Sequence, residues 1–496
     1  MSEQGAPQSR REARSPSPGR ARAATPASAG SGGIGGLIAK NPRAWLAGAI
    51  GVGFLLLATG ALFAGAAVGS NASAGTPVPS NSAGGGRPQP AELPVATRLR
   101  TCSVAGLATD PKLAAFSGAV TNGTSGELLF DRGATTGVPQ GGVLQLLTAS
   151  AALQILGPDA VLTTRVYDGS TDDTIVLVGG GDPTLSQLHG SAESVYTGAP
   201  KLDDLAQKVE DNYESGHPGK HVDDIKKIVL DSSMWNVADK WDATWKRSAQ
   251  TGGTQSEVTA LQVSGDRDDP TKQVSARSTD PVARAGILFA KALGLDPDDV
   301  TFSTGSAVTS KPVLGEVQSQ PVSVLINQML MNNDGTLAEN LARVTSKSMG
   351  LGGSAASLQQ AITNAIGVIG VSPTGLVVKD GSGLSTATAI PPKFMADFLA
   401  KIQQGANNLN YVYNSLAVGG KSGSLAGRFT GTSPVNGNVQ GKTGDSEQAL
   451  AGVVTAADGT QLSFAFYAIG AKDNAKAAID ALVAGAYSCG DNLSNN

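Results

Sequence analysis

The 496-residue chain is long enough for two or three domains, and 37 basic against 41 acidic side chains leave a formal net charge of −4. No globular stretch is strongly basic, which excludes nucleic-acid binding. Sixty-four glycines and an aromatic content of 4% mark a chain rich in small residues and exclude no fold class.

Residues 1–43 hold Arg10, Arg11, Arg14, Arg20, Arg22, Lys40 and Arg43 against only Glu3 and Glu12. With so little apolar surface to bury, this segment reads as a disordered basic cytoplasmic tail. Ala44–Val68 then runs 25 residues without a charge, the length of a membrane-spanning helix, directly after Lys40 and Arg43. Positive flanks stay inside, so the expectation is a single-pass cell-membrane anchor with everything beyond it extracellular. A cleaved signal peptide, with "NASA" at 71–74 as its cleavage site, is the alternative reading, and it exports the rest equally. Residues 69–100 are a Gly/Ser/Pro-rich linker. Cys102 and Cys489, the only cysteines, bracket the remaining sequence; in an exported protein such a pair suggests a disulfide, two free thiols being the alternative.

The globular region opens with "VPQGGVLQLLTASAALQILGPD" (138–159), apolar on nearly every side and therefore a central helix, with Gln145 as a buried polar group in need of a partner. Strand-and-turn patterns follow at 175–186 and 225–235, the first ending in Gly-Gly-Gly-Asp. Helices are predicted at 280–294, between Asp280-Pro281 and Gly294, and at 323–334, 336–350 and 355–370. Residues 448–470 form a hairpin about Ala457-Asp458-Gly459, and 473–490 close the chain as a helix. Antiparallel strands with packed helices make a mixed α/β (α+β) architecture.

Five stretches occur in a telling order: "VPQGGVLQLLTASAALQILGPDAVLTTRV", "LVGGGDPTLS", "NNDGTLAENLAR", "DGSGLS" (380–385) and "VQGKTG" (439–444). Together they resemble the S13 peptidases, the D-alanyl-D-alanine carboxypeptidase/endopeptidase family of penicillin-binding proteins. The resemblance implies a serine β-lactamase/transpeptidase-like domain, built from residues 101–165 and 300–490, with an inserted subdomain at 166–299 and a short C-terminal tail at 491–496. It also implies a cleft with three catalytic elements, of which two are degraded here. Gly142 stands where the nucleophilic serine belongs and Gln145 where the lysine of Ser-x-x-Lys belongs. Asn333 and Gly335 replace the serine and asparagine of Ser-x-Asn, whereas Lys442, Thr443 and Gly444 survive, followed by Asp445 instead of a hydroxyl residue. A carboxylate there repels the carboxylate of a D-Ala-D-Ala terminus. Lys442 also reads as an ordinary solvated strand residue, and Asp182, Asp380 and Ser382 as turn formers. Glu339 reads as a structural helix residue.

These residues point to a pseudoenzyme, an anchored module binding peptidoglycan stem peptides or an envelope protein. A live carboxypeptidase with Thr148 or Ser150 as displaced nucleophile, and a purely structural envelope component, are the rivals. No cofactor and no metal are expected: Pro218 and Gly219 break any helix that would join His217 to His221.

Overall fold

The hairpin at 449–469, buried on both faces along most of its two strands, forms the centre of the main sheet. The structure, a computed structural model, describes residues 99–444, 448–472 and 475–495. The chain opens with β1 (Cys102–Ser103), β2 (Ala115–Asn122) and β3 (Leu128–Arg132), then enters the central helix α1 (Gln145–Ile155). Next come β4 (Thr163–Asp168), β5 (Thr174–Val178), α2 (Leu202–Gly216), β6 (Lys227–Asp231), α3 (Pro281–Ala292), β7 (Thr301–Thr304) and β8 (Val313–Gln318). Four helices follow: α4 (Val322–Asn332), α5 (Gly335–Ser348), α6 (Leu358–Gly367) and α7 (Pro392–Gln404). The chain ends with β9 (Ala417–Val418), β10 (Gln440–Thr443), β11 (Ala449–Thr455), β12 (Gln461–Ile469), α8 (Ala475–Cys489) and β13 (Leu493–Ser494).

Strands in the order β3-β2-β12-β11-β10-β9 form an antiparallel sheet covered by helices on both faces. Leu462, Phe464 and Phe466 of β12 point into the layer shared with α8, against Ile479, Leu482 and Val483. Ala465 and Tyr467 face the opposite layer, which holds α1, α5 and α7. Each buried phenylalanine contributes about 2 kcal/mol by leaving water. Helix α1 is buried from Gln145 through Leu153 and packs against α4, α5 and α6, as its all-round apolar pattern requires.

A second sheet, in the order β7-β6-β5-β4-β8, carries α2 and α3 over its own core. It begins at Thr163 and ends at Gln318, beyond both edges of the expected 166–299 insertion. Strands β7 and β8 are short, partly exposed edge strands whose sequences lack clean alternation, so their membership shows only in the pairing. The expected tail at 491–496 is also corrected. Leu493 is fully buried and β13 pairs in parallel with β1, while Asn495 Oδ1 accepts the Asp131 N–H at 2.7 Å. Arg100, assigned to the linker, binds Glu127 and Asp491. The Cys102–Cys489 disulfide is present, with its Cα atoms 5.4 Å apart. The tail at 1–43, the anchor at 44–68 and the linker through residue 98 lie outside the described residues. Among the described residues no helix is long and apolar enough to cross a membrane.

Candidate functional site

The start of α1, the α4–α5 junction and strand β10 meet at one place. A single 3-10 turn, Gly141–Leu144, leads into α1, so Gly142 lies buried at its mouth and Gln145 begins the helix proper. Helix α4 ends on Asn333, which adopts a left-handed backbone (φ 52°), a conformation asparagine tolerates better than most residues. That turn throws the Asn333 carboxamide toward α1. Its Oδ1 accepts hydrogen bonds from Gln145 Nε2 at 3.1 Å and from Lys442 Nζ at 2.5 Å. Lys442 also donates to the Thr443 carbonyl at 2.9 Å and is 2% exposed, so the solvated-strand reading of this residue fails. Thr443 Oγ1 donates to Ser424 Oγ, and Gly444 sits where a Cβ would strike the Gln140 carbonyl oxygen at 2.7 Å.

Gly142 and Asn333 are complementary in shape. A Cβ at residue 142 would fall well inside contact distance of Asn333 Oδ1 and 3.0 Å from Lys442 Nζ. The asparagine oxygen thus fills the volume that a side chain at 142 would need. The same exchange recurs at Gly335, where a Cβ would lie 2.5 Å from Gln255 Oε1. The structure brings Gly142, Gln145, Asn333, Lys442 and, one step away, Gly335 together; Asp445 lies outside the described residues.

Beside them opens a cavity of about 350 Å³, walled by Gln145, Asn333, Gly335, Ser382 and Leu384 together with Thr254, Gln273 and Val274. The last three come from the segment between α2 and α3 and gave no local signal in the sequence, because only tertiary folding carries them here. Ser382 belongs to the strap 380–385. Glu339 of α5 holds that strap through hydrogen bonds that its Oε1 accepts from the Gly381 and Ser382 N–H groups, at 2.6 and 2.8 Å. Burial, then the neighbouring Asp380, push the Glu339 carboxyl up to about 7, against the opposing pull of Arg343. Asp380 accepts from Trp245 Nε1 and the N–H groups of Gly383 and Ser385, as a turn former does, and burial raises its pKa too.

Asp334 next door anchors the α4–α5 junction. Its Oδ1 caps α5 by accepting the Leu337 N–H, and its Oδ2 accepts from Tyr196 Oη at 2.9 Å and Arg267 Nη2 at 2.8 Å. Burial alone would raise this carboxyl, but Arg267, Arg277 and the backbone donor hold it down at about 2. This network left no mark in the sequence, since nothing local links residues 196 and 267 to 334.

Thr148 and Ser150 are both buried, their hydroxyls donate to the carbonyl oxygens of Gly381 (2.7 Å) and Leu146 (2.8 Å), and neither lines the cavity. His217 and His221 bind Tyr213 and Glu214, respectively, and no cluster of three or more metal-ligating side chains occurs among the described residues.

The sequence profile of the D-Ala-D-Ala carboxypeptidase 3 (S13) family matches residues 101–267 and 231–487. The chain belongs to the S13 family. It is 32% identical over 428 residues to Carboxypeptidase DacB of Mycolicibacterium smegmatis, covering 84% of this chain and 89% of that protein. A carboxypeptidase of Mycobacterium tuberculosis is 30% identical over 416 residues, covering 80% and 87%. Among solved structures, penicillin binding protein 4 of Haemophilus influenzae superposes with a TM-score of 0.61 at 18% identity, over 75% of this chain and 96% of that one. That likeness establishes a shared mixed α/β fold. Within this S13 member, Gln145, Asn333 and Gly335 line one cavity, and Gly142 and Lys442 lie directly against Asn333.

Proposed function

We propose that the folded region is a non-acylating S13 module that holds peptidoglycan stem peptides in its cleft without cleaving them. The observation that carries this reading is the Gly142–Asn333 exchange: residue 142 offers no side chain to attack with, and an amide oxygen fills the space one would occupy. Covalent acyl transfer needs a nucleophile activated by a base. Gln145 is a neutral amide and cannot take the proton, and Lys442 already donates to Asn333 and Thr443. The rival with a displaced nucleophile is disfavoured because Thr148 and Ser150 are buried and engaged. The cavity remains open and the two mycobacterial relatives are named carboxypeptidases, which supports a wall peptide as the occupant. Residues 44–68 would anchor the module to the membrane with the fold outside, as their uncharged run behind Lys40 and Arg43 supports.

The test uses the purified full-length chain. Incubated with a stem peptide ending in D-Ala-D-Ala, it releases no D-alanine above the protein-free control, yet isolated peptidoglycan sacculi retain it. Catalytic release of D-alanine contradicts the inactive reading, and failure of sacculi to retain the folded protein contradicts the binding one.

A further inference from the structure

Among the described residues, the side chains that line the cavity are uncharged. Gln145, Gln273, Asn332 and Asn333 supply four carboxamides, Thr254 and Ser382 two hydroxyls, and Val274 and Leu384 apolar surface. Lys442 is buried behind Asn333 and directs its ammonium at Asn333 Oδ1 and the Thr443 carbonyl. Gln145 has a further property. It is 1% exposed and spends its Nε2 donors on Asn333 Oδ1 and, at 3.5 Å, the Ser382 carbonyl, while its Oε1 accepts no hydrogen bond. The amide orientation follows from Asn333 Oδ1, which already faces the Lys442 ammonium and so must meet an N–H of Gln145. A buried acceptor without a donor is costly, and a ligand N–H that reaches it recovers that cost.

We infer that the cleft selects a ligand presenting a neutral N–H donor, a peptide amide or primary carboxamide, over the same ligand presenting a carboxylate. This rests on the proposed non-acylating reading and names its ligand class: wall peptides whose C-terminal group is amidated or continued through a peptide bond. A carboxylate entering a wall of amide oxygens and hydroxyls loses its hydration without a cation among the described lining residues to meet it, whereas a carboxamide can donate to Gln145 Oε1 and accept from the second N–H of Gln273 Nε2, whose first donates to Asp334.

The full-length chain is titrated with two acetylated Lys-D-Ala-D-Ala peptides, one ending in a free carboxylate and one in a carboxamide, by calorimetry. The amide binds tighter by about tenfold, the size expected for satisfying one buried acceptor. Gln145→Met, of similar volume but without the amide, abolishes the preference, whereas Gln145→Lys turns it toward the carboxylate. Thermal melts of both variants establish that they are folded. Equal affinities, a carboxylate preference in the natural chain, no binding of either peptide, or a preference untouched by Gln145→Met overturns the inference. The non-acylating reading fails separately, through release of D-alanine in the same cell.

Discussion

At the scale of single residues, the cleft is organised by what two glycines leave open. Asn333 Oδ1 occupies the volume beside Gly142, and Gln255 Oε1 the volume beside Gly335. A substitution at one member of such a pair is therefore felt by the other. Gly142→Ser alone overpacks the site and destabilises the fold by about 1–3 kcal/mol. Asn333→Ser in the same chain relieves most of that loss, so urea denaturation of the two single variants and the double variant should give a clear coupling energy. Additive effects would mean that the two positions do not share the space. The positions at which the S13 resemblance expects nucleophile and base could be assigned from the sequence, because the apolar run after Gln145 fixes the register. That Asn333 fills the vacancy could not, since the contact joins residues far apart in the chain and depends on a left-handed turn at the end of α4.

At the scale of elements, α5 binds the cleft together through its N-terminal end. Asp334 caps it while pairing with Arg267, and Glu339, one turn on, holds the strap 380–385. The two carboxyls respond to pH in opposite directions. Glu339 binds its proton more tightly folded than unfolded, so its contribution is complete in acid and is lost as pH rises through about 7. Asp334 is held at about 2, so its contribution is present above the ordinary carboxylate range and is lost as pH falls toward that value. Glu339→Gln should flatten the decline in melting temperature between about pH 5 and 7. An unchanged slope would show that Glu339 does not titrate there. Asp334→Asn leaves the guanidinium of Arg267 buried without its counter-charge and should cost about 3–5 kcal/mol, read from the urea midpoint. Helices α3, α4, α5 and α8 were legible from periodicity and from caps such as Asp280-Pro281. The short strands β7 and β8 were not, because a four- to six-residue edge strand with half-exposed side chains carries too little alternation.

At the scale of the whole molecule, the two ends of the folded region are tied together three times. The Cys102–Cys489 disulfide closes a loop of 387 residues, β1 pairs with β13, and Arg100 binds Asp491. Closing so long a loop restrains the unfolded chain strongly, so replacing both cysteines by serine should lower stability by about 2–5 kcal/mol. An unchanged urea midpoint relative to the oxidised full-length protein would contradict this. The pair of cysteines was enough to suggest the bond. The packing of residues 491–495 was not legible, because two-residue strands leave no pattern and only Leu493 is apolar among them.

The account turns on the loss of acylation, and intact-mass analysis after incubation of the full-length chain with a fluorescent β-lactam tests it most directly. The natural protein should keep its mass. A variant carrying Gly142→Ser, Gln145→Lys, Asn333→Ser and Gly335→Asn restores the S13 pattern and should gain one adduct mapping to residue 142. A covalent adduct on the natural protein, at any residue of the cleft, would contradict the account.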